Sequence, residues 1–225
     1  MKKTAIILGA SGLTGGCVLD QLAKDDRYDS IKLISRSKLE GLPPKVTQYI
    51  GDLLQLDQFK SHFTADEVYC CIGTTTSKTP DKDLYRQIDY GIPVAAARLV
   101  KAQQIPKFLV ISAMGADEES RIFYNRTKGE MEADVLKQDV RHTYIFRPAL
   151  IGGDRDEKRT MEQLGLRFFE LLQPLLVGPL KKYQIIEAET IARAMIHLAN
   201  DASTSETIFS SEAIKAQATK TTTNL

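Results

Sequence analysis

Residues 4–24 read TAIILGASGLTGGCVLDQLAK, a short apolar run broken by Gly9, Gly12, Gly15 and Gly16 and followed at once by a helical pattern. Each glycine costs the interior of an element roughly 0.5–1 kcal/mol relative to alanine, so a set this dense needs a compensating reason. A strand that runs into GASGLTG and then straight into a helix has the G-x-x-G-x-x-G form of a dinucleotide-binding loop. In that reading Gly9 permits the tight turn, Gly12 lets the backbone approach a pyrophosphate, and Gly15 lets the helix pack close on the strand. Ser11, Leu13 and Thr14 complete the loop. The unpaired N–H groups of the helix start, with their partial positive charge, are expected to hold the anion.

The rhythm continues outward from this loop. Apolar, β-branched runs predict strands over 4–8, 31–35, 46–50, 67–72, 107–112 and 142–152, and amphipathic spacing predicts helices over 15–25, 56–63, 85–101 and 123–138. Strands alternating with helices imply right-handed crossovers and an α/β, doubly wound parallel sheet of Rossmann type, ordered 3-2-1-4-5-6. The chain from 1 to 225 is expected to form a single domain, with residues 152–210 as a small elaboration on the substrate side. That region reads as a charged loop, an amphipathic helix over 161–172, a proline-punctuated connection, a helix over 188–201 and a last strand within 206–211. The final KAQATKTTTNL has little to bury and is expected to fray.

Composition narrows the classes of function. With 43% hydrophobic residues over 225 positions there is enough apolar surface for one sizeable core. Thirty basic residues against 29 acidic ones leave a formal charge of +1, which supplies no broad field for a nucleic-acid backbone or an anionic membrane. The apolar run after Met1-Lys2-Lys3 stops too soon for a signal peptide, and no run is long enough to span a bilayer. Cys17, Cys70 and Cys71 are odd in number and two are adjacent, a poor disulfide framework, so a reduced, cytoplasmic protein is expected. His62, His142 and His197 lie far apart without metal-ligand spacing, so no metal is expected.

The end of the second strand bears on which dinucleotide binds. An NAD site usually carries an acid there to bond the ribose 2′-hydroxyl. Here the stretch is ISRSK: Ser35 does not repel a 2′-phosphate, and Arg36 can pair with it and stack on adenine. The expected cofactor is therefore NADP(H), with NAD(H) the less favoured.

The segments ILGASGLTGG, CIGTTTSKTP, FLVISAMGADEES, FYNRTKGEMEADV and FRPALIGG, in that order, resemble the short-chain dehydrogenase/reductases, and within them the atypical branch of Tat-interacting-protein-like oxidoreductases. The resemblance covers most of the chain. It implies that Asp52 and Leu53 flank the adenine ring and that Ile72, Gly73 and Thr74 run along the cofactor. It also implies that Tyr124 and Lys128 are the Tyr-x-x-x-Lys pair and that Arg147 and Pro148 lie beside the nicotinamide. Active members present a Ser or Thr hydroxyl just after the fifth strand. Here Ala113 and Met114 align with that place and Ser112 precedes them.

Independently of the resemblance, Tyr124 and Lys128 are four apart on a predicted helix and share a face. A neighbouring cation favours the phenolate and is expected to pull the Tyr124 pKa down from ~10 toward a range useful for proton transfer. Two functions of different class follow. One is an NADP(H)-dependent oxidoreductase acting on a small carbonyl or alcohol, with Tyr124 as acid, Lys128 orienting it and Ser112 as a second hydroxyl. The alternative is a non-catalytic NADPH-binding redox sensor or regulatory scaffold, which Met114 favours. The expected partner is a small-molecule substrate, and a homodimer is left open.

Overall fold

Strand β1 (Lys3–Leu8) shows why a parallel sheet forms: Ala5, Ile6, Ile7 and Leu8 are all fully buried, so both faces of the strand need cover. The computed structural model describes residues 2–153, 184–201 and 204–220. β1 pairs in parallel with β2 (Tyr28–Ser35) on one side and β4 (Glu67–Cys70) on the other, Leu8 facing Ile34 and Cys70. β3 (Val46–Ile50) flanks β2, while β5 (Lys107–Ile111) and β6 (His142–Arg147) extend the far side. The order is β3-β2-β1-β4-β5-β6, as expected, and a seventh parallel strand, β9 (Ile208–Ser210), joins β6 with Phe209 opposite Phe146. The strand expected over 142–152 is two. Pro148 has no N–H to give to a ladder, and the chain resumes as β7 (Ile151–Gly152), paired with β8 (Ile186–Glu187) in a separate two-stranded sheet.

Alternation along the strands divides the core in two. Ala5, Ile7, Ile31, Leu33, Leu109 and Phe146 face α1 (Leu13–Lys24), α5 (Ala188–Asn200) and α6 (Ser211–Thr219). Ile6, Leu8, Val68, Phe108 and Val110 face a 3-10 segment (Leu53–His62), α3 (Ile92–Ala102) and α4 (Phe123–Leu136). The helix expected over 85–101 is one continuous rod made of α2 (Lys82–Arg86), a π-helical turn (Gln87–Gly91) and α3. Pro93 has no N–H for the Asp89 carbonyl, and the rod widens here, the Ile92 N–H reaching back to the Gln87 carbonyl.

At the opposite end of the sheet from the glycine loop, the fully buried Glu67 accepts hydrogen bonds from the Tyr28 and Tyr69 hydroxyls and lies 3.3 Å from the Lys3 ammonium. Lys3 also donates to the Ala199 carbonyl at 3.1 Å and to Asn200 at 2.7 Å, fastening the end of α5 to the sheet.

The expectation of a frayed tail does not hold as far as Thr219. Ser210 accepts the Ala213 N–H at 3.3 Å as an N-cap, and Ile214 and Ala218 bury themselves in the core shared with α5, so α6 forms. The charged loop, the helix over 161–172 and the proline-punctuated connection lie outside the described residues.

Candidate functional site

The glycine loop follows β1 and its glycines divide their labour. Gly9 has φ of +87°, and a Cβ on it would sit 2.7 Å from the Cys71 carbonyl oxygen. A Cβ on Gly15 would sit 2.1 Å from the Gly9 carbonyl oxygen, so this contact of α1 with the loop requires glycine. Gly12 faces the cleft, and its N–H closes the turn on the Gly9 carbonyl at 2.9 Å. The first turn of α1 has no side-chain cap and no acidic residue, in contrast to the Ser210-capped α6. Its N–H groups and dipole are left for an anion, and these residues fit the pyrophosphate of a dinucleotide.

The loop opens on a cleft of about 700 Å³ at the carboxyl ends of β1, β4 and β5. This is the crevice in which open α/β sheets bind ligands. Of the residues expected at the site, the cleft brings together Ser11, Gly12, Leu13, Thr14, Ile72, Gly73, Thr74, Ser112, Tyr124 and Lys128. Gly9 and Gly15 do not line it and instead pack against each other within the loop.

On the α4 side Lys128 is buried, and its ammonium pairs with Asp89 of the π turn at 2.8 Å, the two side chains being 4% and 1% exposed. Asp89 Oδ2 also accepts the Thr74 N–H at 2.7 Å. Burial works to lower the Lys128 pKa, but Asp89 and Tyr124 more than offset it, and the ammonium is held. The expectation for Tyr124 is corrected in sign. Burial raises its pKa above the usual phenol value, Asp89 adds to the rise, and the opposing pull of Lys128 is insufficient. At neutral pH the Tyr124 phenol therefore keeps its proton.

Ser112 and Arg147 meet on a residue that the sequence reading missed. The Ser112 hydroxyl donates to the buried carboxylate of Glu132, and the Arg147 guanidinium grips both oxygens of that carboxylate, with Nε at 2.9 and 3.0 Å. Arg147 does not line the cleft. Pro148 contributes its carbonyl to the Met114 N–H at 2.9 Å, fixing the segment after β5.

At the other end, Ser35 is buried. Its hydroxyl donates to the Ser37 carbonyl at 2.9 Å and accepts from Gln48 at 2.8 Å, so it shapes the turn after β2. Arg36 is exposed beside it, and Leu39 of the same turn lines the cleft. Asp52 caps the 3-10 segment by accepting the Leu54 N–H at 2.9 Å, and Leu53 is buried in the core. Neither lines the cleft.

Asp89 and Glu132 were both legible as acids on apolar stripes. Tyr85, Asp89, Ile92 and Ala96 recur at helical spacing and are all buried, as are Lys128, Met131, Glu132 and Val135. Cys17 and Asp20, on the α1 wall of the cleft, carried no such signal.

A family model described as NAD(P)H-binding matches residues 9–171. The chain belongs to this family. Protein HTATIP2 of Rattus norvegicus is 32% identical over 199 residues, covering 87% of this chain and 80% of that protein, which sets this NAD(P)H-binding protein in the Tat-interacting-protein-like branch. "Protein FMP52, mitochondrial" of Debaryomyces hansenii is 25% identical over 207 residues, 88% of each chain. Among solved structures, the Bordetella bronchiseptica enzyme WbmH in complex with NAD+ superposes with a TM-score of 0.71 at 15% identity, covering 93% of this chain and 75% of that one. That likeness is one of fold.

The relatives correct the expected cytoplasmic placement. FMP52 proteins from several yeasts carry the word mitochondrial in their names. Free thiols, which Cys17, Cys70 and Cys71 are, separate reducing from oxidising compartments but do not distinguish one reducing compartment from another. Among the described residues no helix is long and apolar enough to cross a membrane.

Proposed function

We propose that the protein is an NADP(H)-dependent oxidoreductase that interconverts a small carbonyl compound and its alcohol. The observation that carries the reading is a single cleft with an uncapped, glycine-built helix start at one wall and the protonated Tyr124 beside the buried Lys128 at another. A bound nicotinamide supplies or takes the hydride. Tyr124 gives its phenolic proton to the carbonyl oxygen as charge develops there, and recovers it from solvent. Lys128 orients the phenol and stabilises the phenolate left behind. Backbone N–H groups of Leu13 and Thr14 hold the pyrophosphate. Arg36, exposed next to the uncharged Ser35, meets the 2′-phosphate.

Calorimetric titration with NADPH and NADH, followed by oxidation assays over a panel of small carbonyls, tests this. NADPH is expected to bind more tightly, and Arg36→Ala to remove most of the difference, worth ~1–3 kcal/mol for a charge-assisted contact. Equal affinities in the unmodified protein reject the NADP preference. Tyr124→Phe is expected to keep cofactor binding and lose ~100-fold or more in turnover. A second reading, an NADPH-binding sensor or scaffold, draws support from Ser112, whose proton is committed to Glu132. Cofactor binding with no turnover across the panel would favour it.

A further inference from the structure

Asp89 is a buried carboxylate shared between two walls of the cleft. Oδ1 meets the Lys128 ammonium on α4 and Oδ2 takes the Thr74 N–H in the loop after β4. A buried ion pair is weak evidence for stability, since well-packed apolar residues often serve as well or better. Its location calls for another account: the pair lines the cleft beside Tyr124, and the acid rides on a π turn, a widening often found at functional sites.

We propose that Asp89 is a positioning residue of this site, fixing the Lys128 ammonium between the Thr74 loop and Tyr124 and tempering its pull on the Tyr124 phenol. The inference rests on the reading of Tyr124 as the acid. Without an acid partner, the full field of a buried ammonium one helical turn away would fall on the phenol, and burial would drive the ammonium itself toward the neutral amine. With Asp89 against it, the cation is held in place and Asp89 opposes part of its pull on the phenol, so that Lys128 remains able to stabilise the phenolate left by proton transfer. The remaining groups around the pair do not replace Asp89. Tyr85 of α2, its ring centroid 6.5 Å from that of Tyr124, is a neutral phenol whose hydroxyl has no hydrogen-bond partner among the described residues. Cys70 of β4 is a thiol pushed up to about 12 by burial. Lys78 and Asp20 line the same cleft with opposite charges.

The test is a titration of tyrosine ring carbons by NMR in ligand-free protein, with the Tyr124 signal assigned by its loss in Tyr124→Phe. Asp89→Asn keeps an oxygen for the Thr74 N–H and removes only the charge. Because burial drives an unpaired Lys128 toward the neutral amine, the change is made in a Lys128→Arg background, whose guanidinium keeps its charge. There the phenolate-to-phenol ratio of Tyr124 at pH ~10 is expected to rise several-fold or more when Asp89→Asn is added, toward the ~1–3 pH units that an uncompensated neighbouring cation exerts. An unchanged or lower ratio overturns the proposal. If Asp89→Asn does not fold, the comparison is Lys128→Met against Lys128→Met/Asp89→Asn. Adding the second change is expected to raise the Tyr124 ratio, and no difference overturns the proposal. Calorimetric NADPH titration of the same samples keeps the two readings apart. An unmoved ratio with intact NADPH binding removes only the role of Asp89. A raised ratio in a protein that binds no dinucleotide sustains the coupling and removes the oxidoreductase reading.

Discussion

Ser112 hands its hydroxyl proton to Glu132, so that toward the cleft the serine presents lone pairs and no donor. Arg147 pairs with both oxygens of Glu132 and orients the carboxylate, which in turn fixes the serine rotor. A Ser112 committed in this way contributes little to holding a developing oxyanion. Ser112→Ala is therefore expected to lower turnover by less than about tenfold, against the ~100-fold that loss of a true oxyanion donor costs. Steady-state kinetics beside Tyr124→Phe decides this, and a loss as large as that of Tyr124→Phe contradicts it.

The same cluster sets a stability prediction. Removing the carboxylate with Glu132→Ala leaves Arg147 half-buried and unpaired. With the guanidinium partly open to water, a loss of about 3 kcal/mol is expected, the low end for a broken buried pair. Ser112→Ala, which leaves the ion pair whole, is expected to cost about 1 kcal/mol. Urea unfolding of both variants measures the difference.

Gly15 and Gly16 are neighbours with opposite expected responses to alanine. A Cβ on Gly15 would overlap the Gly9 carbonyl at 2.1 Å, whereas one on Gly16 meets nothing nearer than the Ala10 carbonyl oxygen at 3.5 Å. Gly15→Ala is expected to destabilise the fold by ~1–3 kcal/mol through overpacking and to weaken dinucleotide binding. Gly16→Ala is expected to stabilise α1 by up to about 1 kcal/mol from helix propensity alone. Thermal unfolding and NADPH titration of the pair check both directions.

Cys17 and Cys70 are expected to label in a fixed order. Cys17 lines the cleft and is half-buried, its pKa raised by burial and by Glu189 and Asp20, while Cys70 is fully buried and pushed up to about 12. Alkylation of the native protein at pH 8 is expected to modify Cys17 slowly and Cys70 not at all. The Cys17 rate should rise with pH and fall when NADPH fills the cleft. Mass spectrometry of the alkylated peptides reads both. Protection absent at saturating NADPH would place the cofactor elsewhere.

Alkali is expected to weaken the far end of the sheet. Burial first, and then Glu67, raise the Tyr28 and Tyr69 hydroxyls above the ordinary phenol pKa of ~10. Above that pH the folded state keeps protons that the unfolded chain releases, so their contribution, whole below pH ~10, declines as pH climbs beyond it. Each phenol adds a slope of about 1.4 kcal/mol per pH unit. Urea midpoints from pH 8 to 11 should fall less steeply in Tyr69→Phe than in the unmodified protein.

Much of the fold was legible because its signals are local. Val46–Ile50 matched its strand residue for residue, and GASGLTG announced both the turn at Gly9 and the tight contact at Gly15. What escaped depended on long-range contacts. The helix ending in Thr219 exists because Ile214 and Ala218 find a place in the core beside α5, which no reading of KAQATK in isolation supplies. The sign of the Tyr124 shift escaped for the same reason. The Tyr-x-x-x-Lys spacing names the cation but neither the burial that raises the phenol nor Asp89, 39 positions before Lys128, which adds to that rise. Ser35 and Arg36 mark the turn after β2, yet it took Gln48 on the neighbouring strand to show that the serine hydroxyl is already engaged.

Lys3 reaches the Ala199 carbonyl across 196 positions of chain, and Val18 and Leu22 of α1 share their core with Ile191 and Met195 of α5. During synthesis α1 therefore leaves the ribosome with its apolar face bare and keeps it so until α5 has emerged. At 5–20 residues per second that interval lasts roughly ten to thirty seconds, long against the formation of a helix or a collapsed core. The N-terminal half of the sheet, central strand included, waits on the C-terminal end for its cover. A chain cut short before Asn200 is accordingly a ready client for chaperones and proteases.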